Sequence, residues 1–105
     1  MYFYIDFFLN KAILKVNFEW DPHKNLYNAK KHGINFEDAR NAFLDPKRVI
    51  GKDYRHSIFE DRYYCFGKVF EEVLTVRFTY RNDNIRIIGA GYWREGRILY
   101  EQKNH

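Results

Sequence analysis

At 105 residues, 46% hydrophobic and 20% aromatic, the chain is too rich in core-forming side chains to be disordered and too short for more than one domain. Its net charge of +4 is uneven: residues 1–45 hold six basic and six acidic side chains, residues 46–105 twelve and eight. A basic second half suits a polyanion such as nucleic acid, and equally suits an ordinary solvated surface. The single cysteine, Cys65, excludes an internal disulfide. Its setting, Tyr63-Tyr64-Cys65-Phe66, predicts a buried strand thiol and fits a reducing cytoplasm.

Met1 to Leu9 is apolar and aromatic except for Asp6. This stretch is too short to span a bilayer, and it lacks the basic lead and cleavage site of a signal peptide. Residues 1–12 read as an N-terminal extension, able to add a strand or a contact, ahead of a single domain over 13–105. Leu14, Val16, Phe18 and Trp20 alternate with Lys15, Asn17 and Glu19, which is strand periodicity. Asp21 caps a helix that starts at Pro22 and runs to about His32, where Gly33 supplies a left-handed stop. Asn35, with Asp38 three residues on, caps a second helix that puts Phe36, Ala39 and Phe43 on one face and ends at Asp45-Pro46.

The remainder reads as strands. Val49-Ile50 is a short edge, Arg55-His56-Ser57 a polar connection, and Arg62 to Val69 a strand closed by a turn at Glu71-Glu72. Val73 to Arg81 and Asn84 to Ala90 form a hairpin about Asn82-Asp83. Trp93 to about Lys103 is a short last helix, weakened by Gly96. The order predicts an α+β domain: an antiparallel sheet with two N-terminal helices and one short C-terminal helix, the helices on one face.

With Asn82-Asp83 as the loop, Arg81 faces Asn84, Tyr80 faces Ile85, Thr79 faces Arg86 and Arg77 faces Ile88. Leu74, Val76, Phe78, Tyr80, Ile85 and Ile87 then share the core face. Thr75, Arg77, Thr79, Arg81 and Arg86 share the other. Three guanidinium groups on one sheet face can hold phosphates, because each offers a fixed fork of donors; they can equally be surface charges. Arg94 and Arg97, three apart on the last helix, extend that face or decorate the helix surface. Tyr92 and Trp93 can stack on unpaired bases, Tyr92 as the freer ring and Trp93 as an anchor of the last helix.

His23, His32, His56 and His105 are scattered, without metal-ligand spacing, and Gly89-Ala90-Gly91 lacks the length and lysine of a phosphate loop. No cofactor or metal is expected. A nuclease built on this chain would use the ribose 2′-hydroxyl as nucleophile, with one group taking its proton and another protonating the leaving oxygen. Arg77, Arg81, Arg86 and Arg94 can stabilise the charge. His32 can transfer a proton, or simply favour the end of its helix. Glu19 and Glu101 are possible bases.

The order Phe18-Glu19-Trp20-Asp21-Pro22, Lys31-His32-Gly33, Phe36-Glu37-Asp38-Ala39 and Asp45-Pro46 resembles the BrnT family of bacterial toxins, within the RelE-like ribonuclease group. Glu60-Asp61-Arg62-Tyr63, Gly67, Ile85-Arg86-Ile87-Ile88, Arg94, Glu95, Arg97 and Tyr100-Glu101 extend the resemblance over residues 17 to 101. The resemblance implies a cytoplasmic RelE-like ribonuclease toxin that cleaves RNA and inhibits growth and translation. It implies a BrnA-like ribbon-helix-helix antitoxin that neutralises the toxin and represses the operon. Operator DNA is then reached only through the antitoxin, and no membrane is involved. Arg86 and Arg94 become the strongest candidates for the cleavage surface. The chain departs from the family where many members carry Ser-Ala-Arg and it has Gly89-Ala90-Gly91. The alternative reading is a catalytically silent RNA-binding or protein-interaction domain on the same fold.

Overall fold

The structure, a computed structural model, describes the backbone of residues 2–7 and 12–105 and the side chains from Val16 onward. Strands Tyr2–Phe7 (β1) and Ala12–Glu19 (β2) precede helix Pro22–His32 (α1) and a short helix Phe36–Ala39 (α2). Then come strands Val49–Lys52 (β3), Tyr63–Val69 (β4), Glu72–Arg81 (β5) and Asn84–Gly91 (β6), and helix Arg94–Lys103 (α3). The strand order is β1-β2-β6-β5-β4-β3. The expected strand periodicity and helix bounds are thus largely found. Asp21 Oδ1 accepts from His23 N at 2.8 Å, and Gly33 stops α1 at φ 72°.

Several expectations are corrected. The sheet is mixed, not antiparallel: β2 runs parallel to β6, pairing Phe18 with Ile85 and Glu19 with Arg86. Two-residue turns force β4, β5 and β6 to alternate in direction, whereas β2 leads into helices and is under no such constraint. The helices do not share one face. The 3-10 turn at Arg40–Leu44, into which α2 tightens, packs on the face of Leu74, Val76 and Phe78. Tyr100 of α3 packs with Phe66 and Val73 on the other. A glycine permits each approach: a Cβ on Gly67 would lie 2.2 Å from the Ala42 carbonyl oxygen, and one on Gly96 would lie 2.0 Å from Thr75 Oγ1.

The hairpin register holds from Arg81–Asn84 to Thr79–Arg86, then shifts at Arg77/Phe78, so that Arg77 faces Gly89 rather than Ile88. A bulge of one residue swaps the faces beyond it. Ala90, opposite Val76, therefore joins the core, while Gly89 and Gly91 share a face with Arg77 and Thr75. The turn before β5 is Phe70-Glu71, one residue earlier than expected. Both residues have positive φ, as do Asn82 and Asp83 in the second turn. Asn and Asp tolerate that conformation; Phe70 and Glu71 hold it at a cost.

The core is built from rings. Phe43 meets Phe78 edge-on at 5.0 Å and Phe18 at 5.2 Å, and Phe36, Phe43 and Phe78 are buried. Each such ring contributes about 1.5–3 kcal/mol of burial. Tyr80, expected in the core, is half exposed at the sheet's end beside Tyr63. Cys65 is buried, and desolvation pushes its thiol far up.

One polar residue in α1 is buried for a reason. Asn28 Nδ2 donates to the carbonyls of Ile34 and Ala90, both at 2.9 Å, and Ala90 N donates to Asn28 Oδ1 at 3.1 Å. β2 pairs with β6 only as far as Glu19, so the amide completes the edge of β6 that the strand has left. Asn28→Ala leaves three buried backbone groups unpaired and should cost about 3 kcal/mol in urea denaturation. A loss below 1 kcal/mol would show that water replaces the amide.

Candidate active site

A cleft of about 470 Å³ opens between α3 and the sheet face opposite the main core. Gly51, Lys52, Tyr64, Phe66, Thr75 and Arg77 line it from the sheet, His56 from a loop, Glu95, Gly96 and Leu99 from α3, and Trp93 from just before that helix. The sheet contributions follow from register: Arg77 pairs with Tyr64, and Tyr64 with Gly51, so one row crosses three strands on one face.

His56 is held in place by its own loop. Tyr54–His56 is a 3-10 turn capped by Asp53, whose carboxylate accepts from His56 N at 3.3 Å and lies 2.7 Å from His56 Nδ1. Asp53 N donates to the Arg62 carbonyl at 2.7 Å, Ser57 Oγ donates to the Asp53 carbonyl at 2.5 Å, and Arg62 N donates to Ser57 Oγ at 2.9 Å. These bonds close the loop on itself. Asp53 is only 6% exposed. Its burial works against ionisation, but hydrogen bonds from His56 and Tyr64 outweigh that and hold the carboxyl below the usual range. An ionised Asp53 requires the His56 proton on Nδ1, which leaves Nε2 as the nitrogen that gives and takes protons.

The cations differ in availability. Arg81 and Arg62 both pair with Glu60, at 3.4 and 3.1 Å, and Lys52 pairs with Asp61 at 3.1 Å. Arg86 stands 3.8 Å from Glu19 Oε1, an ion pair too long for a hydrogen bond. Arg77, Arg94 and Arg97 have no ion-pair partner among the described residues. Arg77 alone of these lines the cleft. Arg94 and Arg97 line a second cleft on the other side of α3, of about 500 Å³, with Lys68, Tyr92, Trp93 and three glutamates.

The predicted site residues are therefore split. Arg77 enters the first cleft; Arg94, Arg97 and Tyr92 belong to the second; Arg81 and Arg86 are tied to carboxylates. The Tyr92 hydroxyl donates to the Val69 carbonyl at 2.9 Å and its ring packs on the core, so Trp93 is the freer ring. His32 meets Trp93 edge-on at 5.3 Å. No group of three or more metal-ligating side chains occurs among the described residues. No helix among them is long and apolar enough to cross a membrane.

Residues 20–96 match the family described as "Ribonuclease toxin, BrnT, of type II toxin-antitoxin system". The chain belongs to the BrnT family. Membership makes it a ribonuclease toxin of a type II toxin–antitoxin system, a class that acts on RNA and has a cognate antitoxin. A search of curated proteins finds no match.

In this BrnT chain, sequence reasoning passed over His56, Asp53, Tyr64 and Glu95 as site residues. Asp53 and His56 are three apart around a turn, a spacing that brings a carboxylate to an imidazole, and that was the one signal available. Glu95 comes to the cleft that His56 lines only through the packing of α3. The depressed carboxyl of Asp53 contributes stability that is complete above the ordinary Asp value of about 3.9 and is lost as pH falls through the lower folded value. The stability gap between wild type and Asp53→Asn should therefore stay open at pH 5 and close below about pH 4. Urea denaturation across that range measures it; a gap that does not narrow as pH falls below about 4 would mean the carboxylate charge does not stabilise the fold.

Proposed function

We propose that this BrnT-family toxin cleaves single-stranded RNA in the first cleft without a metal, on a RelE-like fold, and so inhibits translation and growth. The observation that carries this reading is an unpaired Arg77 in one cleft with a carboxylate-held His56 and the carboxylate of Glu95. Glu95 accepts the proton of the ribose 2′-hydroxyl as its oxygen attacks the adjacent phosphorus. The protonated His56 gives its Nε2 proton to the departing 5′-oxygen, and Asp53 stabilises the imidazolium. Arg77 offsets the charge that builds on the phosphoryl oxygens. The products are a 2′,3′-cyclic phosphate and a 5′-hydroxyl. Arg94 and Arg97 bind RNA beyond the cleft, while Arg81 and Arg86 set the charge of the sheet face. His32 acts through Trp93 and exchanges no proton with RNA.

The alternative, a catalytically silent RNA-binding or interaction domain, draws on Gly89 and Gly91, which offer neither hydroxyl nor guanidinium on the Arg77 face. Cleavage assays separate the two. Purified protein should cut RNA in excess EDTA. His56→Ala should slow cleavage by about 10²–10⁴-fold with the fold intact, and Arg77→Ala by about 10²-fold. Activity that disappears with EDTA and returns with a divalent ion overturns the mechanism; RNA binding without any cleavage favours the alternative.

The proposed partner is a BrnA-like ribbon-helix-helix antitoxin that closes the basic cleft and alone binds operator DNA. Complementary charge speeds such an encounter and a buried anchor slows release. The toxin should be a monomer alone and form a two-plus-two complex with its co-expressed neighbour, without ribonuclease activity, as judged by size-exclusion chromatography with light scattering. Separate elution at micromolar concentration counts against the partnership.

A further inference from the structure

Trp93 is the one side chain that lines both clefts beside the first turn of α3. It is only partly buried. Its indole N–H has no hydrogen-bond partner among the described residues. Yet the ring is not loose. On one side it lies across Gly91, where a Cβ would stand 2.5 Å from ring carbons Cε2 and Cζ2. On another the His32 imidazole meets it edge-on, 5.3 Å away with the planes at 83°. Gly91 is in turn placed on this face by the bulge beside Ile88. A glycine late in β6 and a histidine at the end of α1 thus converge on one aromatic ring.

A large ring fixed in orientation and partly exposed, with a free donor and beside a cleft that holds an unpaired guanidinium, has the properties of a stacking platform. Every nucleobase offers a π-face, and stacking on a ring that is already immobilised costs little further ordering. We propose that Trp93 is the platform on which a base of single-stranded RNA stacks, next to the phosphate held by Arg77. His32 and Gly91 are positioning residues that set the plane of the indole. This rests on the reading of the first cleft as an RNA site and adds the element that seats the base. Side by side, Trp93 and Arg77 favour a strand whose base is splayed from its neighbours. A duplex, whose bases are already stacked, cannot present one.

The test uses a short single-stranded oligoribonucleotide with every 2′-hydroxyl methylated, which binds but cannot be cut by 2′-oxygen attack, measured by fluorescence polarisation. Trp93→Leu should weaken binding about tenfold, and Trp93→Phe should retain most of it. Gly91→Ala should weaken binding nearly as much as Trp93→Leu although the tryptophan is still present, because the new Cβ displaces the ring. On cleavable RNA the same variants should raise KM more than they lower kcat. Wild-type affinity in a folded Trp93→Leu protein overturns the proposal. Should Trp93→Leu not fold, quenching of indole fluorescence by the oligonucleotide in a Trp20→Phe background decides the same point, and no quenching overturns it. A protein that cuts no RNA yet loses tenfold in affinity with Trp93→Leu keeps the platform and loses the nuclease mechanism. One that cuts RNA with Trp93→Leu binding unchanged does the reverse.

Discussion

The Asn28 amide is the contact on which the rest of the molecule depends. β6 is paired along one edge by β5, but its other edge is paired by β2 only at Ile85 and Arg86. Beyond that point the edge would be buried without partners, which folded proteins avoid. Asn28 provides a donor and an acceptor to Ala90 and a second donor bond to Ile34. One side chain therefore sets the distance of α1 from the sheet, the path of the chain after α1, and the position of β6 just before Trp93. His32, one turn further along α1, reaches Trp93 because Asn28 has already docked the helix.

Both faces of the sheet are covered, and the approaches of the Arg40–Leu44 turn and of α3 each need a missing Cβ. Gly67 admits the Ala42 carbonyl on the core face, and Gly96 lies against Thr75 and Phe66 on the other. The Tyr100 hydroxyl donates to Asp45 Oδ2 at 2.6 Å, which ties the last helix to the end of the 3-10 turn across the sheet's edge. That carboxylate also accepts from Lys68 N at 2.9 Å. Burial opposes its ionisation, but these bonds keep its pKa low. α3 is thus held at one end by polar contacts, while its first turn stands over the cleft and carries Glu95.

Charge pairing decides which cations can act on a substrate. Surface ion pairs add little to stability, but they occupy guanidinium groups that could otherwise bind phosphate. Glu60 engages both Arg62 and Arg81, and Glu19 stands beside Arg86. What remains in the first cleft is Arg77, with Lys52 partly committed to Asp61. On this face one guanidinium without an ion pair shares a cleft with an imidazole held by a carboxylate, whereas the other arginines of the hairpin are paired.

The local elements and the main core are legible in short stretches of the chain. Asp21-Pro22, Gly33 and Asn35 act within a few residues of themselves, and the alternation of Leu74, Val76 and Phe78 selects a buried face without help from elsewhere. The family was legible for the same reason, because its signature lies in such local punctuation. Direction, faces and site were decided by tertiary structure. No local pattern says that β2 runs parallel to β6, that a bulge moves Gly89 and Gly91 onto the Arg77 face, or that α3 crosses the sheet opposite the Arg40–Leu44 turn. His56, Glu95 and Arg77 are far apart in the chain, and only the packing of a loop and a helix onto one sheet face brings them to one cleft. Periodicity reports which way a side chain points, whereas a site requires knowing what stands opposite it.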